Sequence, residues 1–159
     1  DLTVSDELTN LSHREEEYAL LYHCNFGYPL VSAKARLALP EDRKTTPRTP
    51  FASTGLGFET TFDEPKPGEE ERVFFHEDMA REAALINEDL KIRMDLTWSD
   101  TLPILAHWRS MASGDYVCGL EPTNCYIMGR KQERENGTLP TLKPFETVKT
   151  QVNFHFSDI

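Results

Sequence analysis

What most restricts the fold of this chain is the spacing of its apolar residues. They come in runs of strand length, partly alternating with polar residues and broken by clusters of Pro, Gly, Asn and Asp, and long helical periodicity is absent. Candidate strands are Leu2 to Thr9, Glu17 to Asn25, Ala35 to Leu39, Arg72 to His76, Ala80 to Asn87, Leu90 to Trp98, Ile104 to Met111, Tyr116 to Glu121 and Thr147 to Phe156. Many short strands joined by such turns predict an all-β, antiparallel sandwich or barrel. The turn Asn87-Glu88-Asp89 predicts a hairpin with Ala83, Leu85, Leu90, Ile92 and Met94 facing the core.

With 159 residues, 38% of them hydrophobic, the chain can fill one core but not two ordinary ones. The expectation is a single β-sandwich domain over residues 1–159, or the C-terminal part of one, because Asp1 is not an initiator methionine and the first residues already read as a strand. The stretch 40–72 is rich in Pro, Gly, Thr and charge and reads as a long rim loop, with Phe51, Leu56, Phe58 and Phe62 as candidate anchors. A formal charge of -10 argues against nucleic acid and against an anionic membrane surface. No window approaches the roughly 20 apolar residues of a membrane helix. Cys24, Cys118 and Cys125 have no metal spacing, and their odd number suits a reducing compartment, so the expected location is cytoplasmic. The sequon at Asn136-Gly137-Thr138 then reads as a chance match.

Two stretches carry chemistry. In "LLYHCNFGYPL" (20–30), strand alternation puts Leu21, His23 and Asn25 on one face and Tyr22, Cys24 and Phe26 on the other, with Pro29 ending regular pairing. In "GDYVCGLEPTNC" (114–125), Glu121 closes an otherwise apolar strand, and Pro122 is expected to stop the ladder directly after it. Burial would raise the pKa of such a carboxylate and nearby donors would lower it, so it can be tuned as a base. A strand histidine is also commonly structural, and a Glu beside a turn commonly solvated. Trp108, in "LPILAHWRSM", fits core or rim packing before a sugar platform, although aromatics do both, and alternation sends His107 to the opposite face. Arg109 and Arg130 are surface cations or ligands for hydroxyl groups.

Together, "LLYHCNFGYPL", "LPILAHWRSM" and "GDYVCGLEPTNCYIMGRKQERENGTLPTLKPFETV" resemble the galactose mutarotase-like, or aldose 1-epimerase-like, proteins, in particular their uncharacterised branch. The resemblance runs from about Thr9 to Phe156 and implies an antiparallel β-supersandwich with a carbohydrate cleft across one sheet. It implies that Glu121 takes the proton of the anomeric hydroxyl while His23 protonates the ring oxygen, a chemistry that requires no cofactor, and no ligand cluster in the sequence calls for a metal. Asn25, His107, Trp108, His76 and Arg130 are the candidate substrate-binding residues. The implied partner is a monosaccharide or modified sugar, and the sequence leaves the oligomeric state open, a homodimer being one option. Family members are longer than this chain, and their upstream arginine and histidine ligands have no counterpart in it. Asn25 and the Phe-Gly-Tyr-Pro ending depart from the standard mutarotases, so sugar specificity does not carry over. The alternative is a carbohydrate-binding β-sandwich without turnover.

Overall fold

The computed structural model describes residues 1–159 and is built almost entirely of antiparallel strands. In chain order these are β1 (Leu2–Thr9), β2 (Glu16–Glu17), β3 (Cys24–Gly27), β4 (Ala35–Ala38), β5 (Lys44–Pro47), β6 (Arg72–Glu77), β7 (Glu82–Asn87), β8 (Ile92–Trp98), β9 (Ile104–Ser110), β10 (Val117–Thr123), β11 (Thr141–Leu142) and β12 (Thr147–Asp158). Two short helices, α1 (Pro50–Ser53) and α2 (Arg130–Asn136), complete the list. One five-stranded sheet runs β1-β12-β8-β7-β4, a second runs β3-β10-β9-β6-β5, and β11 pairs with β2 alone.

The two large sheets close on one core. Leu37, Ala83, Leu85, Met94, Leu96, Trp98 and Val152 from the first meet Leu105, Cys118 and Leu120 from the second. Their period-two spacing is what lets each strand turn one apolar row inward. Val73, Phe75, Ile104 and Ala106 form a smaller cluster on the other face of the second sheet, against which Trp108, Tyr126 and Ile127 pack. That face carries the chemistry described below.

Several expectations are corrected by the coordinates. Residues 17–25 are not one strand: β2 and β3 are separated by a segment whose backbone is held by a side chain, Leu20 N–H donating to Asn124 Oδ1 at 2.8 Å, and by an isolated bridge from Leu21 to Thr123. β10 continues through Pro122, because proline forfeits only its N–H and its carbonyl still accepts from Tyr22 N–H at 3.0 Å. In the β7–β8 hairpin, Ala83, Leu85 and Met94 are buried, but Leu90 sits in the turn and is 40% exposed. The stretch 40–72 is more regular than a rim loop, since β5 adds an edge strand to β6 and α1 starts at Pro50 under a Thr49 cap. Phe62 does anchor it, whereas Leu56 and Phe58 point to solvent. The work given to them falls instead to Arg109, whose guanidinium donates to the carbonyls of Phe58, Glu59 and Thr61 at 2.7–3.1 Å. Those contacts, and 7% exposure, make Arg109 a structural clamp rather than a surface cation.

Candidate functional site

Register across the second sheet decides which side chains meet. β10 pairs with β9 so that Glu121 lies opposite Ala106 and Gly119 opposite Trp108, and it pairs with β3 so that Gly119 lies opposite Asn25 and Leu120 opposite Cys24. One step further, between the Cys24–Leu120 pair and the Leu21–Thr123 bridge, His23 falls opposite Glu121. On the other side, β9 sets Trp108 against Val73 and Ala106 against Phe75, and β5 sets Thr46 against Phe75. The ladder extends one residue past β5, where Arg48 N–H donates to Val73 O at 2.9 Å. Two cross-sheet rows result on the same face, Thr46–Phe75–Ala106–Glu121–His23 and Arg48–Val73–Trp108–Gly119–Asn25.

At the end of the first row, His23 Nε2 approaches Glu121 Oε1 to 3.1 Å, with the histidine side chain 52% exposed and the carboxylate 3%. The ring N–H is not aligned on the oxygen, so Oε1 has charge contact but no hydrogen-bond donor. Burial pushes the Glu121 pKa above the ordinary carboxylate range and Glu71 adds to this, while His23 and Arg48 pull it back. A carboxylate whose shielded Oε1 is claimed by no donor, set beside a half-exposed imidazole, places a proton acceptor next to a group that can give or take a proton.

Trp108 forms the wall of the second row. Its ring meets that of His23 edge-on at 5.6 Å, and its Nε1–H donates to Glu71 Oε2 at 2.8 Å, which fixes the indole from the rim. Asn25 is exposed on the same face.

The remaining candidates lie elsewhere. His76 and His107 are fully buried and share the inner side of the sheet, since each is one residue out of step with the Phe75 and Trp108 that line the outer face. They meet each other, His76 Nε2 lying 3.4 Å from His107 Nδ1, and Thr45 Oγ1 lies 2.9 Å from His76 Nδ1. Arg130 opens α2 and is engaged by Glu17, with its guanidinium 3.1 Å from the Glu17 carbonyl and 3.6 Å from its carboxylate. So His23, Asn25, Trp108 and Glu121 are brought together, and His76, His107 and Arg130 are not. Sequence reading missed Arg48, Glu71 and Gly119. The first two lie inside the stretch taken for a loop, and only the pairing of β5 with β6 places Arg48 on the outer face.

The fold defines the class of this protein, an antiparallel β-sandwich of the galactose mutarotase-like type. It superposes on a candidate aldose 1-epimerase from Klebsiella pneumoniae with a TM-score of 0.90 at 25% identity, covering 97% of this chain and 42% of that one. A galactose mutarotase-like protein from Clostridium acetobutylicum gives 0.67 at 18% identity, over 99% of this chain and 52% of that one. A candidate aldose 1-epimerase from Escherichia coli K12 gives 0.67 at 15%, over 99% and 56%. The chain thus spans about half the length of the structures it matches. No curated protein matches its sequence. Residues 1–156 match the model of a domain of unknown function, DUF4432, and the chain belongs to that family.

Proposed function

We propose that this chain carries the acid–base pair of an aldose 1-epimerase-like isomerase acting on a monosaccharide or modified sugar. The observation that supports the reading is the placement of Glu121 and His23 as cross-strand neighbours, 3.1 Å apart on one face, with Glu121 Oε1 free of donors. Glu121, ionised, removes the anomeric hydroxyl proton; the C1–O1 bond gains carbonyl character as the bond from C1 to the ring oxygen breaks, and the imidazolium of His23 supplies that oxygen with its proton. Rotation about C1–C2 and the reverse transfers close the ring on the other side and return both groups to their starting states. The raised pKa makes the carboxylate a stronger base than one in water. Trp108 walls the sugar and Asn25 offers it an amide. The names of the superposed proteins from Klebsiella and Escherichia point the same way.

The test is anomer exchange by saturation-transfer NMR over a panel of aldoses and sugar phosphates, with Glu121→Gln and His23→Gln for comparison. Exchange that disappears in both variants is expected. Sugar-dependent line broadening with no exchange in the unaltered protein would replace this reading with the second one, a carbohydrate-binding sandwich without turnover, which the Trp108 wall also suits.

A further inference from the structure

Gly119 is the one position on the site face where the protein leaves out a side chain directly beneath reacting groups. It lies in the middle of β10, two residues before Glu121 and therefore on the same face, between Trp108 on one side and Asn25 on the other. A Cβ built there would stand 2.5 Å from Glu121 Oε1, 3.2 Å from Trp108 Cε3 and 3.4 Å from Asn25 Oδ1. The first distance is well inside the roughly 3.5 Å of favourable non-bonded contact. Three side chains from two strands and the glycine's own thus lean into the space that any other residue would fill. The glycine has no other evident use, because its backbone is not left-handed and strand interiors disfavour glycine. It weakens the strand, and what it returns is room above the backbone.

That room is occupied by the unpartnered oxygen of the site. We propose that Gly119 is a positioning residue: by omitting a side chain it lets the Glu121 carboxylate lie over β10, with Oε1 held 3.1 Å from His23 Nε2. The inference rests on the acid–base reading of Glu121 and His23. A methyl group at this position displaces the carboxylate rather than the sheet, since a carboxylate at the end of a flexible side chain yields more readily than backbone. The indole yields less, because Glu71 holds its Nε1.

The decisive comparison is Gly119→Ala with Gly27→Ala, the latter placing its new Cβ on the neighbouring strand with nothing nearer than Tyr116 O at 3.6 Å. Two readouts are needed, anomer exchange and the titration of the Glu121 carboxyl followed by carbon-detected NMR without sugar. Gly119→Ala is expected to lower kcat at least tenfold and to shift the Glu121 titration midpoint, while Gly27→Ala alters neither. Glu121→Asp, one carbon shorter, withdraws the carboxylate from an added methyl. In the double variant Gly119→Ala/Glu121→Asp, the titration midpoint and thermal midpoint should therefore match those of Glu121→Asp alone, which keeps the test usable if Gly119→Ala folds poorly. An unchanged titration and rate in Gly119→Ala, or a Gly119→Ala defect that Glu121→Asp does not relieve, would overturn the positioning role. If the unaltered protein exchanges no sugar, the acid–base reading fails instead, and the titration arm still decides whether Gly119 positions the carboxylate.

Discussion

His23 and Glu121 face each other across a strand pair that has barely begun: β3 starts at Cys24, and His23 stands one step outside it. The carboxylate is thus rooted in the second strand of a five-stranded sheet, while its partner sits at the sheet's edge with half its side chain in solvent. A rigid base and a more mobile acid follow from this difference in pairing.

The first consequence concerns stability. Burial raises the folded-state pKa of Glu121, so the native protein holds that proton more tightly than the unfolded chain does. Stability contributed by this group is therefore present at low pH and lost as pH rises through the window above the ordinary carboxylate pKa. Glu121→Gln should be more stable than the unaltered protein at pH 7, with the gain shrinking as the pH falls to about 3, where both states of the unaltered protein are protonated. Thermal midpoints at the two pH values check this. Destabilisation at pH 7 would mean that His23 and Arg48 more than offset the burial.

Arg48 supplies the second. Its charge draws the Glu121 pKa down against burial, and no carboxylate pairs with its guanidinium. Arg48→Met should move the acid limb of the exchange rate to higher pH, and Arg48→Lys should move it less. A pH–rate profile of the three proteins measures the shift.

The outer-face grouping was half legible in the sequence. Alternation alone sends His23 and Asn25 to one face and separates Trp108 from His107, and both placements hold because they depend only on local pleating. What alternation cannot supply is which face of one strand matches which face of another. His76 and His107 belong together on the inner side because β6 and β9 pair with His76 opposite Leu105 and Phe74 opposite His107, a long-range register with no local trace. The edge strand β5 escaped for a related reason: a Lys-Thr-Thr-Pro segment becomes a strand only because β6 offers it an open edge. Strands rich in aliphatic residues, such as β7, β8 and β9, lie within two residues of their expected bounds at each end, since burial on one or both faces sets their composition.

Trp108 offers an optical test of ligand contact. The other tryptophan, Trp98, is buried in the main core, with its Nε1–H on Leu102 O at 3.0 Å. Sugar binding on the outer face should therefore change the fluorescence of Trp108 alone. The change should vanish in Trp108→Phe, and the affinity should fall about tenfold, the scale of losing one aromatic wall and its fixed geometry. A full fluorescence response in Trp108→Phe would place the sugar away from this face.

The buried histidine pair makes the protein acid-sensitive independently of any sugar. Burial holds the His76 pKa down at about 4, with Arg43 acting the same way and Glu59 opposing it. His107 is pushed well below the ordinary value by burial, then by His76, Arg109 and Arg43. Both rings are neutral in the fold, stacked at 5.6 Å, and His107 Nε2 has no partner that could share an added proton. The unfolded chain takes up protons near pH 6.5, where the folded protein does not. The stability contributed by these two histidines is thus present in full above the ordinary histidine pKa and falls as the pH drops toward 4, by on the order of 3 kcal/mol from His76 alone, with His107 adding in the same direction. Denaturant titrations between pH 7 and pH 4 should show this slope. His76→Gln, which keeps a polar group near Thr45 and cannot take up a proton, should flatten it by up to one proton. An unaltered slope in that variant would mean that the acid loss arises elsewhere.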